Sequence, residues 1–166
     1  MRARPAFPTQ ATADKTDEAG YVQAKLLHEH GAKTFALVFD TDDEVVAVLT
    51  SFAKAHALSA GHFTAIGAFS RVVLGYFEWQ RKEYKRIPIS EQVEVLSLVG
   101  DIALANKEPK VHAHVVVGKS DGTAHGGHLL EGTVRPTLEL VLVESPAHLR
   151  RKHDPKSGIA LIDLNA

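Results

Sequence analysis

VHAHVVVGKSDGTAHGGHLL, residues 111–130, consists of two β-forming runs joined by a turn. In the first run His112 and His114 alternate with Val111, Ala113 and Val115, and a strand sends residues two apart to the same face. Ser120, Asp121 and Gly122 suit a three-residue hairpin loop with Gly122 in the left-handed region. Counting outward from that loop, Lys119 pairs with Thr123 and His114 stands opposite His128. Directly opposed residues have Cβ atoms roughly 4.5–5.5 Å apart and diagonal ones about 7–8 Å, so His112 can reach the same point. His125 has the opposite parity and faces away. A two-residue Asp121-Gly122 turn would shift the register by one and send His128 to the other face.

Three neutral imidazoles on one face make a donor set for a borderline divalent metal, zinc first, with a fourth position open to water, a substrate or a neighbouring chain. The alternative is three strand histidines that pack and hydrogen-bond, some of them at a subunit interface.

The 166 residues are 45% hydrophobic, which suits one domain with a substantial core and leaves too little chain for two. Lys and Arg total 19 against 20 Asp and Glu, so no global basic field attracts nucleic acid, and only a local patch could do so. The absence of cysteine removes disulfides, thiolate nucleophiles and thiolate metal sites, and a cytoplasmic protein is expected. Residues 1–20, MRARPAFPTQATADKTDEAG, contain no apolar run of signal-peptide length, and no later segment approaches the roughly 18 apolar residues of a membrane span. The expected organisation is a mobile arm over 1–20, a folded domain over 21–145 and a C-terminal extension over 146–166.

Within the domain, Tyr21–His30 and Thr34–Phe39 alternate as two strands about a His30-Gly31 turn. Asp40-Thr41-Asp42-Asp43 offers capping oxygens, and Val45, Val46, Leu49, Phe52 and Ala53 form one stripe, so a helix is expected from Asp42 to His56. Ser59–Ser70 and Arg71–Trp79 read as strand, with bends, bulges or close backbone approach at Gly67 and Gly75. Glu83–Ile89 contains Pro88 and reads as a strand edge or end, Val93–Leu104 as a central strand bent at Gly100, Ala105–Lys110 as a polar loop, and Pro136–Glu144 as a last strand. The sum is an α+β domain, a mostly antiparallel β-sheet with one main helix packed against it.

GHFTAIGAF at Gly61–Phe69, LGYFEWQRKEYKRI at Leu74–Ile87, EVLSLVGDIAL at Glu94–Leu104, VHAHVVVG at Val111–Gly118 and GGHLLEGTVRPTLELVL at Gly126–Leu142 occur in an order that resembles the PPC domain, plants and prokaryotes conserved, also written PCC. The resemblance covers about residues 21–145. It implies a compact α+β fold commonly assembled as a homotrimer. In plants the domain follows AT-hook motifs in nuclear proteins and supports self-association and contact with transcription factors. Prokaryotic members are mostly the free-standing domain, labelled DNA-binding by that analogy. The positions matching the family's HxH and GGH pattern are His112, His114 and His128, which resemble metal-binding histidines of bacterial members.

Other segments have competing explanations. Arg2-Ala3-Arg4-Pro5 differs by Ala3 from the Arg-Gly-Arg-Pro core of an AT-hook, where glycine permits close approach to the minor groove and a methyl group is expected to interfere, so the segment reads as a solvated arm before a DNA-binding one. Arg150-Arg151-Lys152-His153 reads as part of a solvated C-terminal loop with at most weak phosphate contact. Arg81, Lys82, Lys85 and Arg86 around Tyr84 read as a charged edge strand before a nucleic-acid surface. Tyr76, Phe77 and Trp79 read as packing residues, with a ligand groove or subunit contact as the alternative. Glu94 and Glu139 are strand carboxylates that could approach the metal or support its ligands.

No G-x-S-x-G elbow, P-loop, H-E-x-x-H helix or dinucleotide fingerprint is present. Two functions follow: an oligomeric regulatory module associated with DNA or a regulatory protein, or a metal-dependent enzyme or binding protein for a small molecule. A cupin-like version of the second lacks the Glu that normally follows the HxH pair, since Val115–Asp121 offers none.

Overall fold

Four strands pair in a closed ring, and that closure organises the molecule. The computed structural model of the chain describes residues 23–28 through their backbone, and residues 32–145 and 148–164 in full. The elements in order are β1 (Gln23–His28), β2 (Thr34–Phe39), α1 (Val45–Ala55), β3 (Ala60–Glu78), β4 (Glu83–Ile89), β5 (Val93–Ala105), β6 (Glu108–Gly118), β7 (Ala124–Glu144), β8 (Arg150–His153) and β9 (Ala160–Ile162). β3 pairs with β5, β5 with β6, β6 with β7 and β7 with β3, all antiparallel. β1 and β2 extend the sheet beyond β7, and β4 lies along the later half of β3. The short β8 joins β5 in parallel at Leu104↔Arg150, and β9 pairs with β8.

The expected α+β architecture is present, with corrections at several boundaries. Pro136–Glu144 is not a separate strand but the far end of the 21-residue β7, which begins as the return arm of the histidine hairpin. The polar loop expected over Ala105–Lys110 shrinks to a tight turn, because Asn106 and Lys107 both take positive φ, 53° and 69°, and β6 starts at Glu108. The helix is shorter than Asp42–His56. Glu44 caps it in place of the aspartates before it, its carboxylate accepting from the Val46 and Ala47 amides at 3.3 and 2.7 Å. The same carboxylate accepts from the Gly132 amide at 3.2 Å, which fixes the start of α1 against β7.

The sheet's inner face and one stripe of α1 enclose the core. Leu138, Leu140 and Leu142 of β7, Phe63 and Phe69 of β3, Leu98 and Ile102 of β5, and Leu49 of α1 are buried there. Truncating any of these leucines to alanine would cost about 2–5 kcal/mol. Val115 and Val117 of β6 join the same core, so the odd-numbered residues of this strand point inward and its histidines point outward. Arg2-Ala3-Arg4-Pro5, the arm over 1–20 and the His30-Gly31 turn lie outside the described residues. Among the described residues no helix is long and apolar enough to cross a membrane.

Candidate metal centre

The hairpin folds with the three-residue loop. Gly122 takes φ 82°, its amide donates to the Lys119 carbonyl at 2.9 Å, and the Lys119 amide donates to the Thr123 carbonyl at 2.9 Å. Asp121 steadies the turn by accepting from the Thr123 amide at 2.9 Å and hydroxyl at 2.6 Å. With that loop in place His114 pairs directly with His128. His125 pairs with the buried Val117 and so belongs to the opposite face.

His112, His114 and His128 come together as the sequence register requires. One ring nitrogen from each lies within 4.8 Å of the others. The ring centroids are 5.2 Å apart for His112 and His114, 5.1 Å for His112 and His128, and 5.4 Å for His114 and His128. Among the described residues no carboxylate joins the cluster: Glu94 pairs with Gly118, and Glu139 stands between Val38 and Ile66 on the far part of the sheet.

A different carboxylate supports it. Asp101 lies opposite His112 across the β5–β6 hairpin, and its Oδ2 is 3.4 Å from His112 Nδ1. The same Nδ1 lies 3.3 Å from Arg151 Nη2; in the tautomer that carries its proton on Nδ1, His112 donates to Asp101 and leaves Nε2 with the free lone pair, an arrangement that commonly orients metal-bound histidine. Arg151 of β8 donates from Nη2 to Asp101 Oδ1 at 2.6 Å and from Nη1 to the Ala160 carbonyl at 3.3 Å. Its side chain is only 8% exposed. Burial alone would raise the Asp101 carboxyl, but hydrogen bonds from His112 and Arg151 and the charge of the guanidinium hold it below the usual carboxylate range. Arg150-Arg151-Lys152-His153 is therefore not a solvated loop: it forms β8, and Arg151 is built into the site.

Tyr84 completes the surroundings. Its ring stacks on His128 with centroids 4.6 Å apart, while Phe77 meets the same tyrosine edge-on at 5.2 Å. Gly75, the β3 partner of His128, makes room: a Cβ there would sit 2.9 Å from Tyr84 Cδ1. β4 has β3 as its one strand partner among the described residues, in keeping with the charged edge expected from its sequence. Tyr76 and Trp79, by contrast, are exposed and do not pack in the core.

The donor set fits a metal on two observations. Burial first, then the nearby charges of His112, His114, Lys110 and Arg151, push the pKa of His128 down to about 4, so its imidazole is neutral at physiological pH. His114 is lowered from the same two causes, burial first and then the charge of His112. His128 Nδ1 is also buried with no hydrogen-bond partner among the described residues, a costly arrangement that an additional ligand or ion would relieve.

Comparison with known proteins places this geometry in a family. The sequence profile of the Plants and Prokaryotes Conserved (PCC) domain matches residues 28–146. A plant- and prokaryote-conserved protein from Pyrococcus horikoshii superposes with a TM-score of 0.75 at 31% identity, covering 89% of this chain and 97% of that one. A protein from Archaeoglobus fulgidus described as metal-containing superposes with a TM-score of 0.74 at 32% identity, covering 83% and 98%. A candidate DNA-binding protein from Bacteroides thetaiotaomicron reaches 0.80 at 26% identity, covering 86% and 99%. In sequence, 113 residues are 33% identical to the bifunctional protein GlmU of Synechococcus, a match that spans 66% of this chain and only 17% of that protein. With a profile match over most of its length and this fold, the chain belongs to the Plants and Prokaryotes Conserved domain family.

Proposed function

We propose that this protein is an oligomeric regulatory module, associated with DNA or with a regulatory protein, whose hairpin holds a divalent metal, zinc first, on His112, His114 and His128. The observation that carries the metal is the convergence of three histidine nitrogens within 4.8 Å, with Asp101 behind one of them. Three imidazoles suit zinc, which when bound would offer a fourth position as a Lewis acid. The likeness to a metal-containing protein of the same fold supports it. Protein purified without an affinity tag and assayed by elemental analysis is expected to hold a first-row ion at a substantial fraction per chain. His112→Ala and His128→Ala should lose it, and metal-free wild type under replete conditions would refute the site.

Self-association into a homotrimer is supported by an apolar outer face. Ala36, Val141, Thr64, Val99 and His114 follow one another across β2, β7, β3, β5 and β6, and Ile66, Leu96, Val99 and Val141 are exposed on the outer surface of these strands. Such a patch on a soluble domain marks an interaction surface. A solution mass near three times 18.0 kDa is expected, and a stable monomer would contradict it. DNA association rests on the likeness to candidate DNA-binding proteins. It predicts measurable binding to an A·T-rich duplex that weakens as salt rises, and no binding at low salt would remove it.

A further inference from the structure

The pairing of β6 and β7 ends at His114↔His128. Beyond that pair β6 continues along β5 as far as Glu108, while β7 turns to β3 at Gly75 and Leu74. The two strands part there, and a cavity of about 470 Å³ occupies the fork. His112 and His128 stand on its wall, so the cavity opens directly beside the proposed metal. Val46 of α1, Leu129, Leu130 and Leu161 supply an apolar lining.

The charge at this cavity has one sign. Lys110 and Arg151 line it, and among the described residues no acidic one does. The two terminal nitrogens of Arg151 are held by Asp101 and the Ala160 carbonyl while its Nε is buried without a partner among the described residues, and exposed Lys110 forms no ion pair among them. One wall, Ile159–Leu161 together with Arg151, comes from residues beyond 28–146, the stretch that matches the family profile. The C-terminal extension therefore adds a wall and a structural clasp to the hairpin's histidines.

We propose that this fork cavity binds a small organic carboxylate, its anionic end between Lys110 and the metal-bearing histidines and its apolar tail against Leu129, Leu130 and Leu161. This assignment rests on the metal site proposed above. A carboxylate oxygen is an ordinary fourth donor to zinc held by three histidines, and the ammonium of Lys110 favours the same charge. A cavity of this size accommodates an acid of roughly ten non-hydrogen atoms, at the small end of the range for small-molecule sites, about 300–1,000 Å³.

The test is isothermal titration of the zinc-reconstituted full chain with 3-phenylpropionate, using 3-phenylpropionamide as the uncharged counterpart and measuring zinc content on each sample. The acid should bind and the amide should bind at least tenfold more weakly. Lys110→Glu, which reverses the charge, and Ala160→Trp, which fills the wall, should each weaken the acid at least tenfold with zinc content unchanged. Wild type that holds zinc but ignores the acid, or binds acid and amide alike, or binds undiminished in Ala160→Trp, overturns the pocket and leaves the metal standing. Wild type that takes up no zinc overturns the metal reading instead, and the two failures are told apart by elemental analysis.

Discussion

The hairpin over residues 111–130 and the extension over 148–164 both carry basic and histidine side chains, yet they reach the site by different physics. The hairpin places His114 against His128 through a loop of three residues, so its register is a local property of the sequence. The extension places Arg151 beside Asp101 through a parallel contact of Leu104 with Arg150, two strands that are far apart in sequence. Local pairing can be counted, whereas a docked segment is located by the packing of the whole domain. The hairpin accordingly supplies the histidine nitrogens of the proposed site, and the extension supplies a residue that holds Asp101 behind one of them.

Six substitutions and a change of pH test that contrast. His128→Ala removes one of the three proposed ligands and is expected to abolish stoichiometric zinc binding, measured by elemental analysis after dialysis, while retained full occupancy would contradict its role. Asp101→Asn and Arg151→Met act one layer out, and each should weaken zinc about 10–100-fold in a competition titration with a chelator, the range seen when support of a metal-bound histidine is lost. Arg150→Ala, the exposed neighbour in the same strand, should leave zinc affinity unchanged and so separate the clasp from general loss of positive charge.

Acid should act on the metal-free protein in the same place. The unfolded His128 titrates near 6.5 and the folded one near 4, so the unfolded state binds more protons between these values. The native-state advantage is fully present above about pH 6.5, is lost as pH falls toward 4, and changes no further through this group below that. A urea-unfolding series should show this slope in the wild type and a shallower one in His128→Leu; equal slopes would assign the acid sensitivity elsewhere. The smallest effect is expected at the turn. Gly122→Ala forces a Cβ onto φ 82° with open space around it, so it should cost about 1 kcal/mol through backbone strain alone and spare zinc binding.

Much of this was legible in the alternation of residues 111–130. His112, His114 and His128 on one face and His125 on the other follow from period two and Gly122, and the structure has that register. Asp101 was equally within reach. Asn106 and Lys107 form a two-residue turn that sets Asp101 opposite His112, but Ala105–Lys110 reads as a loop because glycine, the usual second residue of such turns, is missing. Glu94 and Glu139 are carboxylates on the right kind of element but at register positions away from the histidines. Arg151 gave no local signal. A run of three basic residues and a histidine beside Asp154 and Pro155 has the composition of a solvated loop, and only the parallel seat against β5 buries the second of them.

The central claim is that the hairpin's three outward histidines hold a single ion. Crystals of zinc-reconstituted protein measured on both sides of the zinc absorption edge test it most directly. One anomalous peak per chain at about 2.0–2.1 Å from a nitrogen of each of His112, His114 and His128 is the predicted result. A fully replete protein with no peak there, or with its ion bound by other residues, would contradict it.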